Sequence, residues 1–126
     1  MDTQTRIYIN NDLDIVTARM QARQVAKDMG FTTTDQARIS LAASELARLL
    51  SWSTSEASEI VISNAARNGH RGLQVNCLVQ LEYISGKDEG SIPTKSFMGA
   101  CQLVDESNVE VHDERRAMIT LIKWLK

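Results

Sequence analysis

The chain has 126 residues, of which 43% are hydrophobic, 24% charged and 5% aromatic, and its formal net charge is −2 at pH 7. This length accommodates one packed core and not two, so we expect a single domain over residues 1–126 with a mainly aliphatic core. The slight acidic surplus argues against a nucleic-acid binder, because such domains usually concentrate basic side chains on one face.

The cysteines, the histidines and the N-terminal residues carry few functional signals. Cys77 and Cys101 lie far apart and neither belongs to a Cys-x-x-Cys unit, so we predict two buried free thiols and no metal site. His70 and His112 have no histidine or cysteine at ligand spacing. The chain starts without the apolar segment of a signal peptide, and no run of about eighteen apolar residues occurs, so we predict a cytoplasmic protein without a membrane span.

The first third of the chain predicts a strand followed by two helices joined by a short loop. Residues 6–10 are rich in residues that favour β-strands. Asn11 or Asp12 can then cap an amphipathic helix, in which apolar residues recur every three or four positions. Gly30 follows the last apolar position and ends this helix, since glycine readily takes the left-handed conformation of a helix C-terminus.

The second helix, predicted over residues 35–53, combines an apolar stripe with an acid on its flank. Thr33 and Gln36 resemble a capping box that opens it. The stripe has helical spacing and suits packing against a sheet: Ile39, Ala43, Leu46 and Leu50. Glu45 lies off the stripe, on a flank shared with Leu41, Leu49 and Trp52. This glutamate is either part of a site at the helix margin or an ordinary surface residue.

The remainder of the chain predicts a hairpin, a long loop, a third helix and a second hairpin. In chain order we expect strands over 59–63 and 73–83 around a turn cluster at 68–72, a loop over 85–96, a helix over 97–107, and strands over 109–112 and 117–124. Strict alternation in the second of these strands predicts one buried face, formed by Leu73, Val75, Cys77, Val79, Leu81 and Tyr83. This order of elements predicts an α+β fold, a two-layer sandwich of about three helices on a mixed, mostly antiparallel sheet.

Four segments of the chain resemble the small anti-sigma-factor serine kinases, a bacterial branch of the ATPase superfamily that includes gyrase and the histidine kinases. SELAR at residues 44–48 is similar to the first nucleotide-binding box of that family, and residues 30–48 resemble its approach to the box. GACQLVDE at residues 99–106 is similar to the helix after the ATP lid, and ITLIKWLK at residues 119–126 resembles the closing strand. Together the segments cover nearly the whole chain in the family's order, which implies the histidine-kinase-like ATPase fold.

The resemblance assigns two roles to the first box. Its glutamate acts as a general base toward the attacking hydroxyl group, and Glu45 matches that position. An asparagine one turn later holds the magnesium ion, and here that position is Leu49. Leucine has no oxygen to offer a cation that requires octahedral oxygen ligands. Glu45 is therefore expected to be a remnant of the catalytic base, retained through kinship or through a salt bridge to Arg48 or Arg38.

The resemblance also implies a second box, Asp-x-Gly-x-Gly, which binds adenine, and this sequence aligns with it in two ways. The first alignment places Val79 at the aspartate, and Leu81 and Tyr83 at the two glycines. The second alignment uses Asp88 and Gly90, and places Ile92 at the second glycine. We favour the first alignment because it keeps the preceding strand at the family's length. Both alignments leave the adenine site damaged.

The third element that the resemblance implies is a glycine-rich lid, whose backbone amides cradle the phosphates. Two of its glycine positions fall on Thr94 and Ser96, and the loop is several residues shorter than the family's. Lys95 is placed to meet a phosphate as a point charge, although a lysine on a loop is usually only solvated. If ATP binds at all, the residues implied are Asp88, Gly90, Lys95, Ser96 and Gly99.

These losses predict a closed nucleotide pocket, no cofactor and no bound metal. The first hypothesis is a pseudokinase-like interaction or allosteric module in bacterial partner switching, which regulates stress responses or sigma factors. The resemblance implies a STAS-domain protein, a sigma factor or a serine phosphatase as its partner, and leaves a homodimer open. Trp52 is either an anchor for such a contact or a core residue.

Two alternatives stay open. In the first, the chain is a divergent kinase that uses ATP and magnesium to phosphorylate a STAS-type antagonist, through Glu45, Lys95 and Asp88 in altered geometry. In the second, it is a regulatory or dimerisation domain of a longer phosphatase-containing protein.

Overall fold

In the part of the chain that the structure describes, three helices lie against one face of a five-stranded antiparallel sheet. The computed structural model describes residues 4–51, 58–84 and 92–126, with the backbone alone for Tyr83, Ile92, Pro93 and Thr94. The elements are β1 (Gln4–Tyr8), α1 (Asp12–Met29), α2 (Thr33–Ser51), β2 (Glu59–Arg67), β3 (His70–Gln80), a 3₁₀ turn (Leu81–Tyr83), α3 (Ile92–Gln102), β4 (Glu106–Val111) and β5 (Arg116–Trp124).

The sheet has the strand order β1-β2-β3-β5-β4. With the helices on one face of this sheet, the predicted two-layer α+β sandwich is confirmed. All four pairings among the described strands are antiparallel, so no parallel pairing occurs in the described part of the sheet. Because paired residues share a face, the register separates a helix-facing side from an open side. Ile60, Cys77 and Ile119 lie in one row on the helix-facing side.

The core lies between the helices and the helix-facing side of the sheet. The predicted stripe of α2 is at most 2% exposed at each position: Ile39, Ala43, Leu46 and Leu50. It packs over buried residues of the central strands, among them Ile60, Ile62, Leu73, Val75, Cys77, Val79, Ile119 and Leu121. Full burial of one large aliphatic side chain contributes about 1.5–3 kcal/mol, so this layer dominates the stability of the fold.

Both predicted ends of α1 are confirmed. The side chain of Asn11 accepts hydrogen bonds from the backbone N–H groups of Leu13 and Asp14, and Asp14 completes a capping box by accepting from the N–H of Asn11. Gly30 has φ +95° and donates its N–H to carbonyl groups of the last turn. The left-handed conformation explains why glycine stands at this position. Among the described residues, no helix is long and apolar enough to cross a membrane.

The cap of α2 lies one residue before its predicted position. Thr32, not Thr33, accepts a hydrogen bond from the backbone N–H of Asp35 through its hydroxyl group, at 3.2 Å. The side chain of Gln36 donates to the carbonyl of Phe31 instead of closing a capping box with Thr33. Three consecutive threonines made the two registers hard to separate by sequence pattern.

Thr32→Ala is expected to lower the free energy of unfolding by about 1 kcal/mol, because it leaves an N–H group at the start of α2 without its side-chain acceptor. Thr33→Ala is the matched control, and its effect should stay within about 0.5 kcal/mol. Both threonines are exposed, so neither change creates a cavity. Urea denaturation of the two variants checks the difference. Equal losses, or a larger loss for Thr33→Ala, would show that the cap is assigned to the wrong residue.

The strand β3 is shorter than predicted at one end and longer at the other. It begins at His70, because the turn before it needs only Asn68 and Gly69, which have φ values of +52° and +81°. It ends at Gln80, and the chain then enters the 3₁₀ turn, where the N–H of Leu81 donates to the carbonyl of Arg115 at 2.7 Å. The prediction of one continuous strand to Tyr83 was therefore wrong.

The other differences concern α3 and β4. The third helix covers Ile92–Gln102 instead of 97–107, so the end of the predicted loop is helical. Proline in the first turn of a helix loses no intrahelical hydrogen bond, so Pro93 does not interrupt α3. The strand β4 begins at Glu106, three residues before its predicted start, because an exposed edge strand tolerates polar residues that do not alternate.

Candidate functional site

The two residues matched to the first nucleotide-binding box lie in different surroundings on α2. Glu45 is partly buried at the helix margin, beside core residues. It forms no ion pair with Arg48 or Arg38, so the proposed salt bridge was wrong. Leu49 is 0% exposed and belongs to the core cluster. The position matched to the magnesium ligand is thus occupied by an apolar side chain that solvent does not reach.

The residues matched to the adenine box lie at the end of β3. Val79 is 3% exposed, faces the helices and pairs with Ala117 of β5. Leu81 is partly buried in the 3₁₀ turn, and the backbone of Tyr83 ends that turn, while the Tyr83 side chain lies outside the described atoms. Valine offers no acceptor for the amino group of adenine. Asp88 and Gly90, from the second alignment, lie outside the described residues, as does Trp52.

The residues matched to the lid and to the helix after it lie on α3. Ser96 is 5% exposed, and its position beyond the first turn commits its backbone N–H to the helix. Thr94 lies in the first turn, where its backbone alone is described. Lys95 is exposed, and at Gly99 an added Cβ would meet no atom of the described structure within 4 Å. Lys95 and Gly99 therefore share an open side of α3.

The cysteines carry no visible chemistry. Cys77 is buried and Cys101 partly buried, and both are free thiols, so the prediction of two buried thiols holds fully for Cys77. Burial raises the pKa of the Cys77 thiol to about 12, so it stays protonated and is a poor nucleophile. Within the described residues, no group of three or more histidine, cysteine, aspartate or glutamate side chains is placed to hold a metal ion.

The comparison with known proteins gives the chain its family. No protein-family model matches the sequence. The chain is, however, 34% identical to the serine/threonine-protein kinase RsbT of Bacillus subtilis strain 168, over 100% of both sequences. The chain belongs to the anti-sigma-factor serine kinase family. The alignment of this chain with RsbT spans 134 positions, more than the 126 residues of this chain, so RsbT contains residues that this chain lacks.

A buried lysine joins three parts of this anti-sigma-kinase homologue, and no sequence motif marks it. Lys123 is 2% exposed on the helix-facing side of β5. Its Nζ atom lies 3.0 Å from Oδ1 of Asp105 and 3.6 Å from Oδ1 of Asp35 at the start of α2. The other oxygen of Asp105 accepts the backbone N–H of Trp124 at 2.7 Å. Alternation along β5 does place residue 123 in the core, but both partners lie far away in sequence.

The ionisation of Asp105 reflects competing causes. Partial burial opposes the charged form and by itself would raise the pKa of this carboxyl group. The hydrogen bonds from the Trp124 N–H and from Lys123, with the charges of Lys123 and Lys126, outweigh that cost, so the pKa of Asp105 lies below its ordinary value. The Asp105 carboxyl group is therefore ionised at neutral pH.

A second cluster lies on the open side of the sheet, around Trp124. Nη1 of Arg67 donates to both carboxylate oxygens of Glu106 at 2.8 and 2.9 Å, and the guanidinium carbon lies 5.2 Å from the centre of the Trp124 ring. Nε1 of Trp124 also donates to Glu106. The hydrogen bonds from Arg67 and then from Trp124 hold the pKa of Glu106 below its usual range.

Gly72 makes this cluster possible. It pairs with Trp124, and a Cβ at residue 72 would lie 2.6 Å from the carbonyl oxygen of Lys123 and 2.8 Å from the Trp124 ring. Only glycine permits the ring to lie this close to the β3 backbone. The sequence does contain the necessary signals, a glycine at the start of a strand and a tryptophan near the chain end, but it does not show that they are neighbours.

Proposed function

We propose that this protein is a pseudokinase of the anti-sigma-factor kinase family, which acts in bacterial partner switching by binding proteins and not by binding ATP. The observation that carries the proposal is the full burial of Leu49 at the position matched to the magnesium ligand. Magnesium bridges and neutralises the phosphates during phosphoryl transfer, and a buried leucine provides no ligand for it.

The other matched positions support the same proposal. Val79 is a buried apolar residue where the family has the aspartate that reads adenine. Ser96 is buried within α3 where the family has a lid glycine, so its backbone amide is not free to cradle a phosphate. Each of these replacements removes a different contact with the nucleotide, and a single compensating residue would not restore them.

A protein partner follows from the kind of protein to which the chain is related. RsbT is named as a serine/threonine-protein kinase, and a homologue that keeps its fold can keep a protein-docking surface after its nucleotide site is lost. We therefore propose a STAS-domain protein, a sigma factor or a serine phosphatase of the same pathway as the partner. The domain is proposed to act in the cytoplasm.

Titration of ATP and magnesium into the concentrated protein, followed by isothermal calorimetry, tests the proposal. We expect no saturable heat up to millimolar ATP, because the matched positions provide neither a metal ligand nor an adenine acceptor. RsbT from B. subtilis, titrated under the same conditions, is the positive control. A saturable isotherm for this protein with a dissociation constant below about 1 mM would contradict the proposal.

In that event the divergent kinase is the better candidate. It is favoured by one observation: Glu45 is partly buried and forms no hydrogen bond or ion pair with the other described residues, as a free general base would. Phosphate transfer from ATP to a STAS-domain protein of the same genome should then be lost in Glu45→Ala. The exposed Glu110 offers the matched control, because Glu110→Ala should leave transfer unchanged.

A further inference from the structure

The Arg67 cluster borders two cavities on the open side of the sheet. One, of about 520 Å³, is lined by residues that include Arg67, His70, Trp124 and Lys126. The other, of about 410 Å³, extends from Arg67 and Glu106 along the sheet toward Thr120. Since the two cavities adjoin at the same ion pair, the surface is long enough for an extended segment of another molecule.

Arg67 is held in place while three of its five N–H donors bind no described residue. Its Nη1 atom binds Glu106, and its guanidinium plane is supported by the Trp124 ring. Its Nε and Nη2 atoms have no partner among the described residues. These two atoms form the side edge of the guanidinium fork, which matches the two oxygens of a carboxylate.

The charges around the first cavity favour an anion. Arg67 and Lys126 contribute two cations, and Glu106 contributes a carboxylate that Arg67 and Trp124 already bind. An arriving carboxylate therefore meets two cationic side chains and, on Arg67, two donor atoms that no described residue binds. It also meets the exposed part of an aromatic ring, and tryptophan and arginine are the residues most often found as anchors of protein interfaces.

We propose that this surface docks an acidic segment of a protein partner, with a glutamate or aspartate side chain bound to the Nε and Nη2 atoms of Arg67. The site is separate from the positions matched to the nucleotide pocket. Gly72, beneath Trp124, and Val79 lie seven residues apart on β3, which is roughly 23 Å at the rise of a strand. Val79 faces the helices, whereas Trp124 lies on the open side of the sheet.

The inference rests on the proposed function, because it supplies the chemistry of the protein partner. A titration of the ¹⁵N-labelled full chain with a capped hexapeptide of alternating leucine and glutamate tests it by nuclear magnetic resonance. We expect saturable shifts of the Trp124 indole N–H and of the Arg67 Nε–H signals. The dissociation constant should rise about tenfold in Arg67→Gln, which loses both charge-assisted hydrogen bonds. Arg67→Lys should fall between the two, since it keeps the charge and loses the fork.

Arg6 provides a matched control on the same side of the sheet. It pairs with Glu59 at 2.7 Å and its side chain is 51% exposed, compared with 2.8 Å and 54% for Arg67 with Glu106. Arg6→Gln should therefore leave peptide binding unchanged. Thermal melts of the arginine variants check that each is folded. An equal loss in Arg6→Gln, or no shift at Trp124, would overturn the proposed site.

Two further ligands test whether the site requires a negatively charged peptide and whether it binds a protein segment or free phosphate. A twin peptide with lysine in place of glutamate should not bind, and binding equal to that of the acidic peptide would overturn the proposal. Inorganic phosphate alone should shift the Trp124 signal far less than the peptide, and an equal affinity would mean a phosphate site instead. If neither the peptide nor ATP binds, the proposed docking site is overturned and the proposed pseudokinase stands. If ATP binds, the pseudokinase proposal is contradicted, whether or not the peptide binds.

Discussion

Leu46→Asp is expected to unfold the protein. Leu46 is 0% exposed in the stripe of α2 that packs on the sheet, so the new carboxylate would be buried without a partner. That burial costs several kcal/mol, and the lost leucine adds about 2–5 kcal/mol, against a total stability of about 5–15 kcal/mol. Far-ultraviolet circular dichroism and the dispersion of amide resonances measure the loss of structure.

The exposed residue Leu41 supplies the control on the same helix. Its side chain is 48% exposed, so Leu41→Asp adds a charge that solvent can reach and should cost less than about 1 kcal/mol. A Leu46→Asp variant that still unfolds cooperatively with native stability would mean that the buried face of α2 is assigned incorrectly. Unfolding of both variants would point to a general intolerance of charge in this helix and not to burial.

Where the sequence predicted the fold well, local chemistry and periodicity agreed. The stripe of α2 and the alternation from Leu73 to Val79 each identified a buried face. Asn11 and Gly30 marked the ends of α1 because an N-cap acceptor and a left-handed C-cap restrict the residue type strongly. These features depend on neighbours within a few residues, which the sequence displays directly.

Where the prediction failed, either a contact distant in sequence decided the outcome or the local residues lacked hydrophobic periodicity. The alternation to Tyr83 predicts a strand, but the bond from Leu81 to the carbonyl of Arg115 turns the chain after Gln80. The hydrophobic period through Phe97 predicts a helix that begins too late, because the polar residues of its first turns carry no such period. A pattern of side chains cannot reveal which carbonyl will accept a given N–H group.

The candidate sites differ in the same way. Glu45 and Leu49 could be chosen from the sequence because the resemblance supplied a motif for them, although their burial had to come from the structure. Arg67, Glu106 and Trp124 belong to no motif, and they meet only because β2, β4 and β5 bring them to one end of the sheet. The surface around Arg67, whose Nε and Nη2 atoms bind no described residue, could therefore not be predicted from the sequence.

Removing Asp105 is expected to destabilise the fold more than removing Lys123. Asp105→Ala leaves the Lys123 ammonium group, 2% exposed, with the more distant Asp35 at 3.6 Å as its one acidic partner among the described residues, and loss of one partner of a buried ion pair costs about 3 kcal/mol or more. Lys123→Met removes the buried charge and keeps an unbranched apolar chain, while Asp35 and Asp105, 16% and 27% exposed, retain contact with water. We expect a loss of less than about 1.5 kcal/mol. Urea denaturation measures both, and equal losses would contradict the assignment of Lys123 as the group that requires a partner.

The Asp105–Lys123 pair makes the free energy of unfolding depend on pH in the acidic range. Because the folded pKa of Asp105 is depressed, its contribution is present above the unfolded value of about 3.9 and is lost as the pH falls through the folded value. Asp113, held at a pKa of about 2 by the N–H of Arg115 and the side chain of Arg116, contributes in the same range. Denaturation midpoints of wild type, Asp105→Asn and Asp113→Asn between pH 7 and about 3 separate the two. Each variant should lose part of the acid dependence, and an unchanged slope in Asp105→Asn would mean that Lys123 is neutralised by Asp35 alone.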